Sequence, residues 1–319
     1  MSNMKKTLAA MLLLICVYSY AQPVKTHGQL KVVGTQLVDK NNKPVVLNGV
    51  SFGWSCFHPR FYTAGAVAWL HKDWNCSVVR AALGVEPDKG YIKDSATSMK
   101  NIKTVVEAAI RENIYVIIDW HSHNINLKEA KGFFEEMSTT YGKYPHIIYE
   151  IYNEPDYETW AEVKKYSTEV IATIRAHDSS NVILVGSPHW DQDINLPADD
   201  PIRGYSNLMY TVHFYAATHK QSLRDKTDAA IAKGLPIFIS ESAGMQASGN
   251  GAIDYGEWQK WIDWMSARKL SWITWSVSDK DETCSLLNIT AASDGYWQER
   301  DLKESGIKTR EYLRKKSSK

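Results

Sequence analysis

Short, nearly continuous apolar runs alternate with amphipathic segments along most of this chain. Eight runs stand out: Val45 to Phe52, Ser77 to Leu83, Tyr115 to His121, His146 to Tyr152, Val182 to Ser187, Leu208 to Tyr215, Pro236 to Glu241 and Ser271 to Ser278. Their starts lie about 32 residues apart on average, the length of one strand, one helix and two connections. Between them, Met99 to Ile110 puts Ile102, Val105, Val106 and Ala109 on one face, and Trp258 to Met265 puts Trp258, Trp261, Ile262 and Met265 on one stripe. That spacing belongs to helices that pack against a sheet. Gly234 followed by Pro236 marks a helix end just before a buried strand.

Eight apolar strands separated by helices predict a parallel sheet covered by helices, and eight such strands close into a (β/α)8 TIM barrel. An open doubly wound sheet is the competing topology. It calls for a glycine-rich phosphate turn after an early strand, which Val50-Ser51-Phe52-Gly53 does not supply. Gln29 to Val46 reads as a short N-terminal β-hairpin turning at Lys40-Asn41-Asn42, placed to plug the barrel floor. No linker, charge block or low-complexity stretch interrupts residues 22–319, so a single catalytic-sized domain is expected there. No tethered module is visible. Residues 1–21 have the pattern of a removable export signal: Lys5-Lys6, an apolar run from Leu8 to Tyr18, then Ser19-Tyr20-Ala21, with cleavage expected after Ala21. The run falls short of the roughly 20 residues that span a bilayer, so a secreted protein is expected and not a membrane anchor.

The 319 residues are 44% hydrophobic and 23% charged, which excludes a disordered chain. Lysine plus arginine number 37 against 36 acidic residues, and removing the signal leaves 35 against 36. Such a balance gives no electrostatic reason for a nucleic-acid or anionic-membrane partner; a monomer acting on an uncharged substrate is expected. Aromatic residues make up 11% of the chain and suit flat, partly apolar ligands. Three cysteines remain after the signal, Cys56, Cys76 and Cys284, with no zinc-like spacing; they read as buried thiols, with one disulfide at most.

Barrels of this kind carry their chemistry at the carboxyl ends of the strands. The second run holds Arg80; the third ends in Asp119-Trp120-His121-Ser122-His123; the fourth leads to Asn153-Glu154-Pro155. His189-Trp190 follow the fifth run, His213 and Tyr215 sit in the sixth, Glu241 ends the seventh, and Trp275 lies in the eighth. Glu154 and Glu241 are therefore expected three strands apart on one rim, across a narrow mouth. That geometry is compatible with the about 5–5.5 Å carboxylate separation of retaining glycosidases. Two carboxyls that close do not both ionise cheaply, so one keeps a proton and protonates a leaving oxygen while the other attacks. Arg80 and Tyr215 are candidates to support Glu241, and Asn153 to hold a sugar hydroxyl.

With these residues in view the chain resembles glycoside hydrolase family 5, the bacterial-type endo-β-1,4-glucanases often called cellulase A, from about His27 to Leu313. Ile148-Tyr149-Glu150-Ile151-Tyr152-Asn153-Glu154-Pro155 is similar to the family signature around its acid/base, and Phe238-Ile239-Ser240-Glu241 to its nucleophile strand. The resemblance implies Glu154 as general acid/base, Glu241 as nucleophile, and Arg80, His121, Asn153, His213, Tyr215 and Trp275 as the remaining core residues. It implies sugar binding by Lys280 and Glu282 after the eighth strand and by Trp190 on the leaving-group side. It further implies a β-1,4-glucan substrate, no cofactor and no metal. The sequence departs from the family after the nucleophile, where Ser242 and Ala243 replace the usual aromatic and glycine, and near the first strand, where either Trp54 or Phe57 is the stacking residue.

Three other readings remain on the sequence. Mannan, xyloglucan and mixed-linkage glucan hydrolases use a similar carboxylate pair. A metal-dependent amidohydrolase would recruit His121, His123, His189, His213 and Asp279. A sugar-binding barrel without turnover is the non-enzyme alternative, prompted by Ser242.

Overall fold

The computed structural model describes residues 21–315. The expected export signal, apart from Ala21, lies outside the described residues. Among the described residues there are ten strands: β1 (Lys31–Val33), β2 (Gln36–Val38), β3 (Asn48–Phe52), β4 (Val78–Gly84), β5 (Tyr115–His121), β6 (Ile147–Glu150), β7 (Val182–Val185), β8 (Leu208–Tyr215), β9 (Ile237–Ala243) and β10 (Trp272–Val277). The last eight form a closed parallel barrel in the order β10-β3-β4-β5-β6-β7-β8-β9, the topology expected from the sequence.

The strand period of two sorts the side chains into two cores. Val79, Ala81, Val116, Ile118, Tyr149, Val212 and Ile239 point outward and pack with the helices. The alternate residues Val78, Tyr115, Ile117, Ile148, Met209, Phe238 and Ile273 fill the barrel. Gly49 is required where β3 meets β4, because a Cβ there would stand 1.8 Å from the Val78 carbonyl oxygen. In the outer shell, the helix Tyr255–Arg268 buries Trp258, Trp261, Ile262 and Met265, and the Trp261 ring stacks on Phe214 at 4.0 Å. Its N-terminus is capped by Asp254, whose carboxylate accepts from the Glu257 N–H. The helix Ser95–Glu112 is capped likewise by Asp94 and ends in left-handed Asn113.

The N-terminal hairpin is present, but it turns earlier than expected. β1 and β2 pair antiparallel around Gly34, which takes φ 58°. Lys40-Asn41-Asn42 belong to a second reversal, where the Asp39 carboxylate accepts from the Asn41 and Lys43 N–H groups at 2.7 and 2.9 Å and Val38 bridges to Pro44. A glycine free to adopt positive φ closes the first turn, and an aspartate hydrogen-bonding to its own backbone closes the second. The expected role holds, since Leu30, Leu37, Val45 and Leu47 pack onto the inward residues of the barrel floor. Leu47 is fully buried there. Leu47→Ala is expected to cost about 3 kcal/mol through lost transfer energy and a residual cavity. Thermal unfolding checks this: the melting temperature falls by several degrees, while the polar residues at the far end of the barrel keep their places.

Candidate active site

Followed upward from the floor, the inward-facing series turns polar. On β5, Tyr115 and Ile117 give way to Asp119 and His121; on β4, Val78 to Arg80; on β6, Ile148 to Glu150; on β8, Met209 to Thr211, His213 and Tyr215. On β9 the register with β8 slips by one residue between Thr211↔Phe238 and His213↔Glu241. The slip brings both Ser240 and Glu241 to the interior, Ser240 against the His213 Nε2 at 2.9 Å and Glu241 against Tyr215.

Arg80 is the hub. Fully buried, it donates to both Glu150 oxygens at 2.7 and 3.2 Å, to Asn153 Oδ1 at 2.6 Å and to Glu241 Oε2 at 3.1 Å, and it lies 3.0 Å from Asp119. Burial pushes Glu150 up, but the guanidinium and His213 pull it down to about 2, so it is an anion. His121, lodged between the edge of Trp54 and the face of Trp275, stays neutral because burial and the nearby Arg80 charge disfavour its cation. Its Nδ1 lies 2.8 Å from Asp119.

Carboxylate oxygens of Glu154 and Glu241 and a ring nitrogen of His213 lie within 4.8 Å of one another. Glu241 Oε1 accepts from the Tyr215 hydroxyl at 2.8 Å, and its other oxygen accepts from Arg80, as the sequence led one to expect. Glu154 Oε1 meets His213 Nδ1 at 2.9 Å, and Oε2 lies 3.8 Å from His123 Nδ1. Burial pushes both glutamates up. The His213 cation pulls Glu154 below its usual range, whereas Glu241 is raised by burial and by the charge of Glu154. With Glu154 lowered and His213 raised, both directions favour the proton on the imidazole over Glu154. Moving it across the 2.9 Å His213–Glu154 hydrogen bond neutralises Glu154, removes the charge that raises Glu241, and leaves a protonated carboxyl facing an ionised one.

Two cavities open at this rim. One, of about 400 Å³, is lined by His123, Glu154, Trp190, Gln192, His213 and Tyr215, with His219 and Ala247 beside them. The other, of about 560 Å³, lies by β3 and β10 and includes Trp54, Phe57, His58, Trp275, Lys280 and Glu282 in its lining. Trp54 and Phe57 thus share one wall: Trp54 is held against His121 and His123, and Phe57 is 59% exposed. Lys280 Nζ pairs with Glu282 at 2.5 Å. A third cavity of about 560 Å³ sits at the floor near Ala21 and His71, away from these residues.

The structure brings Glu154, Glu241, Arg80, His121, Asn153, Trp190, His213, Tyr215, Trp275, Lys280 and Glu282 to this rim. Asp191 was not singled out in the sequence, and Asp119, Glu150 and Ser240, though named in its motifs, were given no role, nor was His123 beside Glu154. Asp119 and Glu150 carried a usable signal, a charge inside an otherwise apolar buried strand, since such a charge is retained only when paired. Asp191 carried none, because its position depends on three consecutive left-handed residues, His189, Trp190 and Asp191 at φ 59°, 54° and 61°. Each costs about 1–2 kcal/mol in a non-glycine residue. The run turns Trp190 into the first cavity while burying Asp191 beneath His213, and the Trp190 N–H is tied to the Pro155 carbonyl at 2.9 Å. Ser242 lies in the wall, donating to the Ile273 carbonyl at 2.7 Å, so the departure from the family pattern leaves Glu241 in place. Asp279, a ligand in the metal-dependent alternative, is instead bound by His58 and Arg60 at 3.1 and 2.8 Å. Cys56, Cys76 and Cys284 are free and buried, as the reading of them as apolar thiols has it. Among the described residues no helix is long and apolar enough to cross a membrane.

A family model described as "Cellulase (glycosyl hydrolase family 5)" matches residues 38–281. An endoglucanase of Clostridium saccharobutylicum is 44% identical over 287 residues, covering 88% of this chain and 64% of the relative. Endoglucanase 5 of Pectobacterium carotovorum is 41% identical over 301 residues, covering 92% of this chain and 59% of the relative. The chain thus spans about three-fifths of the length of these curated relatives. The crystal structure of the catalytic domain of Thermobifida fusca endoglucanase Cel5A superposes with a TM-score of 0.87 at 31% identity, covering 92% of this chain and all of that one.

Proposed function

This chain belongs to the cellulases, glycosyl hydrolase family 5, and we propose that it is an exported endo-β-1,4-glucanase that cleaves internal bonds of cellulose or a related β-glucan with retention of configuration. The observation that carries this is the pair of carboxylates within 4.8 Å across the barrel mouth, each with opposite support. Glu241 is held by two donors, Arg80 and Tyr215, and Glu154 by a histidine that gives and takes a proton. Oxygens this close suit a retaining pair, at about 5–5.5 Å, and not an inverting one, at about 6.5–9.5 Å.

In the first step Glu154 donates its proton to the glycosidic oxygen while a Glu241 oxygen attacks C1, so the C1–O bond breaks and a glycosyl ester forms. In the second, Glu154, now a carboxylate, takes a proton from water, whose oxygen attacks C1 and releases Glu241. Asn153 Nδ2, buried and without a hydrogen-bond partner, is the donor left for a hydroxyl of the sugar at the reacting carbon. Trp190 offers a stacking face on the leaving-group side. Trp275, with Trp54 or Phe57, does so on the other, where Lys280 and Glu282 bind hydroxyls. We assign this chemistry to protein side chains alone, with no cofactor, in a monomer. Residues 1–21 would direct export.

Product analysis on carboxymethylcellulose, lichenan, cellohexaose, xylan and mannan tests the reading. The expected result is internal cleavage of the β-1,4-glucans, with the β-anomer appearing first in a proton NMR time course. Failure to cleave any β-1,4-glucan, or initial release of the α-anomer, would overturn it.

A further inference from the structure

The mobile proton is shared by His213 and Glu154, yet the imidazole has a second face. His213 Nε2 lies 3.2 Å from Asp191 Oδ2 and 2.9 Å from Ser240 Oγ. Asp191 is fully buried and is fixed from two sides: the Ser187 N–H, four residues before it, donates to Oδ1 at 2.5 Å, and the Thr211 hydroxyl on β8 donates to Oδ2 at 2.5 Å. Gly186 keeps the turn tight, since a Cβ there would stand 2.5 Å from the Tyr152 carbonyl oxygen and 3.2 Å from Asp191 Oδ1. The chain thus holds three consecutive residues in the left-handed region at a place where one of them reaches the rear of the imidazole. No step of the reaction uses this carboxylate, and no sugar reaches it.

We propose that Asp191 is a positioning residue that holds a proton on Nε2 of His213 and thereby sets where the acid proton of Glu154 rests. With Nε2 protonated, Nδ1 has two states. As a lone pair it accepts from a protonated Glu154; as N–H it donates to an ionised one. The line Asp191–His213–Glu154 therefore carries one mobile proton between Nδ1 and Oε1, 2.9 Å apart. Burial pushes the Asp191 carboxyl well up, while the His213 charge, the Thr211 hydroxyl and the Ser187 N–H pull it down; as an anion behind the ring it favours retention of that proton by the pair. Burial opposes a cation on His213, and Asp191 heads the groups that raise its proton affinity well above that of an ordinary imidazole. The charges facing His213 are Asp191 after β7, Glu150 on β6, Glu154 beyond it and Glu241 on β9. Asp119 and His121 on β5 and His219 after β8 act from further away, and Arg80 and His123 act on Glu154.

The sign follows from the charge. The form that carries the proton is the one able to protonate the leaving group, and Asp191 stabilises it. Removing the anion lets the proton leave at lower pH, so the alkaline limb of kcat/KM moves down. The inference rests on Glu154 being the acid, and the test separates the two. In wild type, nitrogen-15 NMR of the His213 ring is expected to show Nε2 protonated and the ring retaining its second proton above pH 7; titration near the ordinary value of about 6.5 would overturn the proposal. In Asp191→Asn, whose amide oxygen still accepts from Ser187, the His213 titration and the alkaline limb on cellohexaose are expected to fall by about one pH unit or more. With 2,4-dinitrophenyl cellobioside, whose leaving group needs no protonation, the limb of kcat/KM is expected to stay within about 0.3 unit of wild type. An unmoved His213 titration, or an equal loss on both substrates at every pH, would overturn the role of Asp191. If wild type cleaves no β-glucan the functional reading fails, and the His213 titrations still decide whether Asp191 holds the ring.

Discussion

Glu241→Gln is expected to lower kcat on carboxymethylcellulose by on the order of 10⁴-fold, a barrier increase of about 5.5 kcal/mol, while the protein stays folded. The side chain fits without repacking. Its amide oxygen can accept from Arg80, and its amide nitrogen can donate to the Tyr215 oxygen, reproducing the two contacts seen at 3.1 and 2.8 Å. Arg80 does not become an unpaired buried cation, because Glu150 and Asp119 remain against it. The loss is therefore confined to the covalent step, and the melting temperature should move by no more than a few degrees. A smaller variant gives a sharper check. In Glu241→Gly, azide can enter the space left by the carboxylate and attack C1 of an activated glycoside from that side, yielding an α-glycosyl azide by a single inversion. Near-wild-type hydrolysis by Glu241→Gln, or a β-azide from Glu241→Gly, would remove Glu241 from the nucleophile's place.

The barrel was legible because its strands are buried on both faces and so read as unbroken apolar runs. Tyr115–His121 and Leu208–Tyr215 begin and end where the runs do. The hairpin was less legible, since Lys40-Asn41-Asn42 and Gly34 both carry turn chemistry and only packing on the floor decides which closes the strand pair. In the site, place within or just beyond an apolar strand singled out Glu154, Glu241, Arg80 and His213 as candidates. What sequence position could not show was which neighbour each would meet. The slip between β8 and β9 that admits both Ser240 and Glu241 is a property of two strands together. Asp191 reaches His213 only through a backbone conformation that its residue types disfavour.

Glu154→Ala is expected to separate the two chemical steps, and it is the variant that most directly distinguishes acid from nucleophile. On cellohexaose, where the departing sugar alkoxide needs a proton, kcat/KM should fall by about 10³-fold, within the range that one general acid supplies. On 2,4-dinitrophenyl cellobioside the leaving group departs unaided, so kcat/KM should fall less than about tenfold. Hydrolysis of the glycosyl ester then lacks its base and limits turnover: kcat falls, KM falls with it, and dinitrophenolate appears in a burst equal to the enzyme concentration. Azide, needing no base, should restore kcat on this substrate and give the β-glycosyl azide, since it attacks an intermediate already inverted once at Glu241. Removing the carboxylate also leaves His213 without its 2.9 Å partner, while Asp191 still holds the other face of the ring. The alkaline limb of the residual activity on cellohexaose should then no longer report the shared proton. If both substrates lost activity equally, with no burst and no azide product, Glu154 would be holding the site together and not donating the proton.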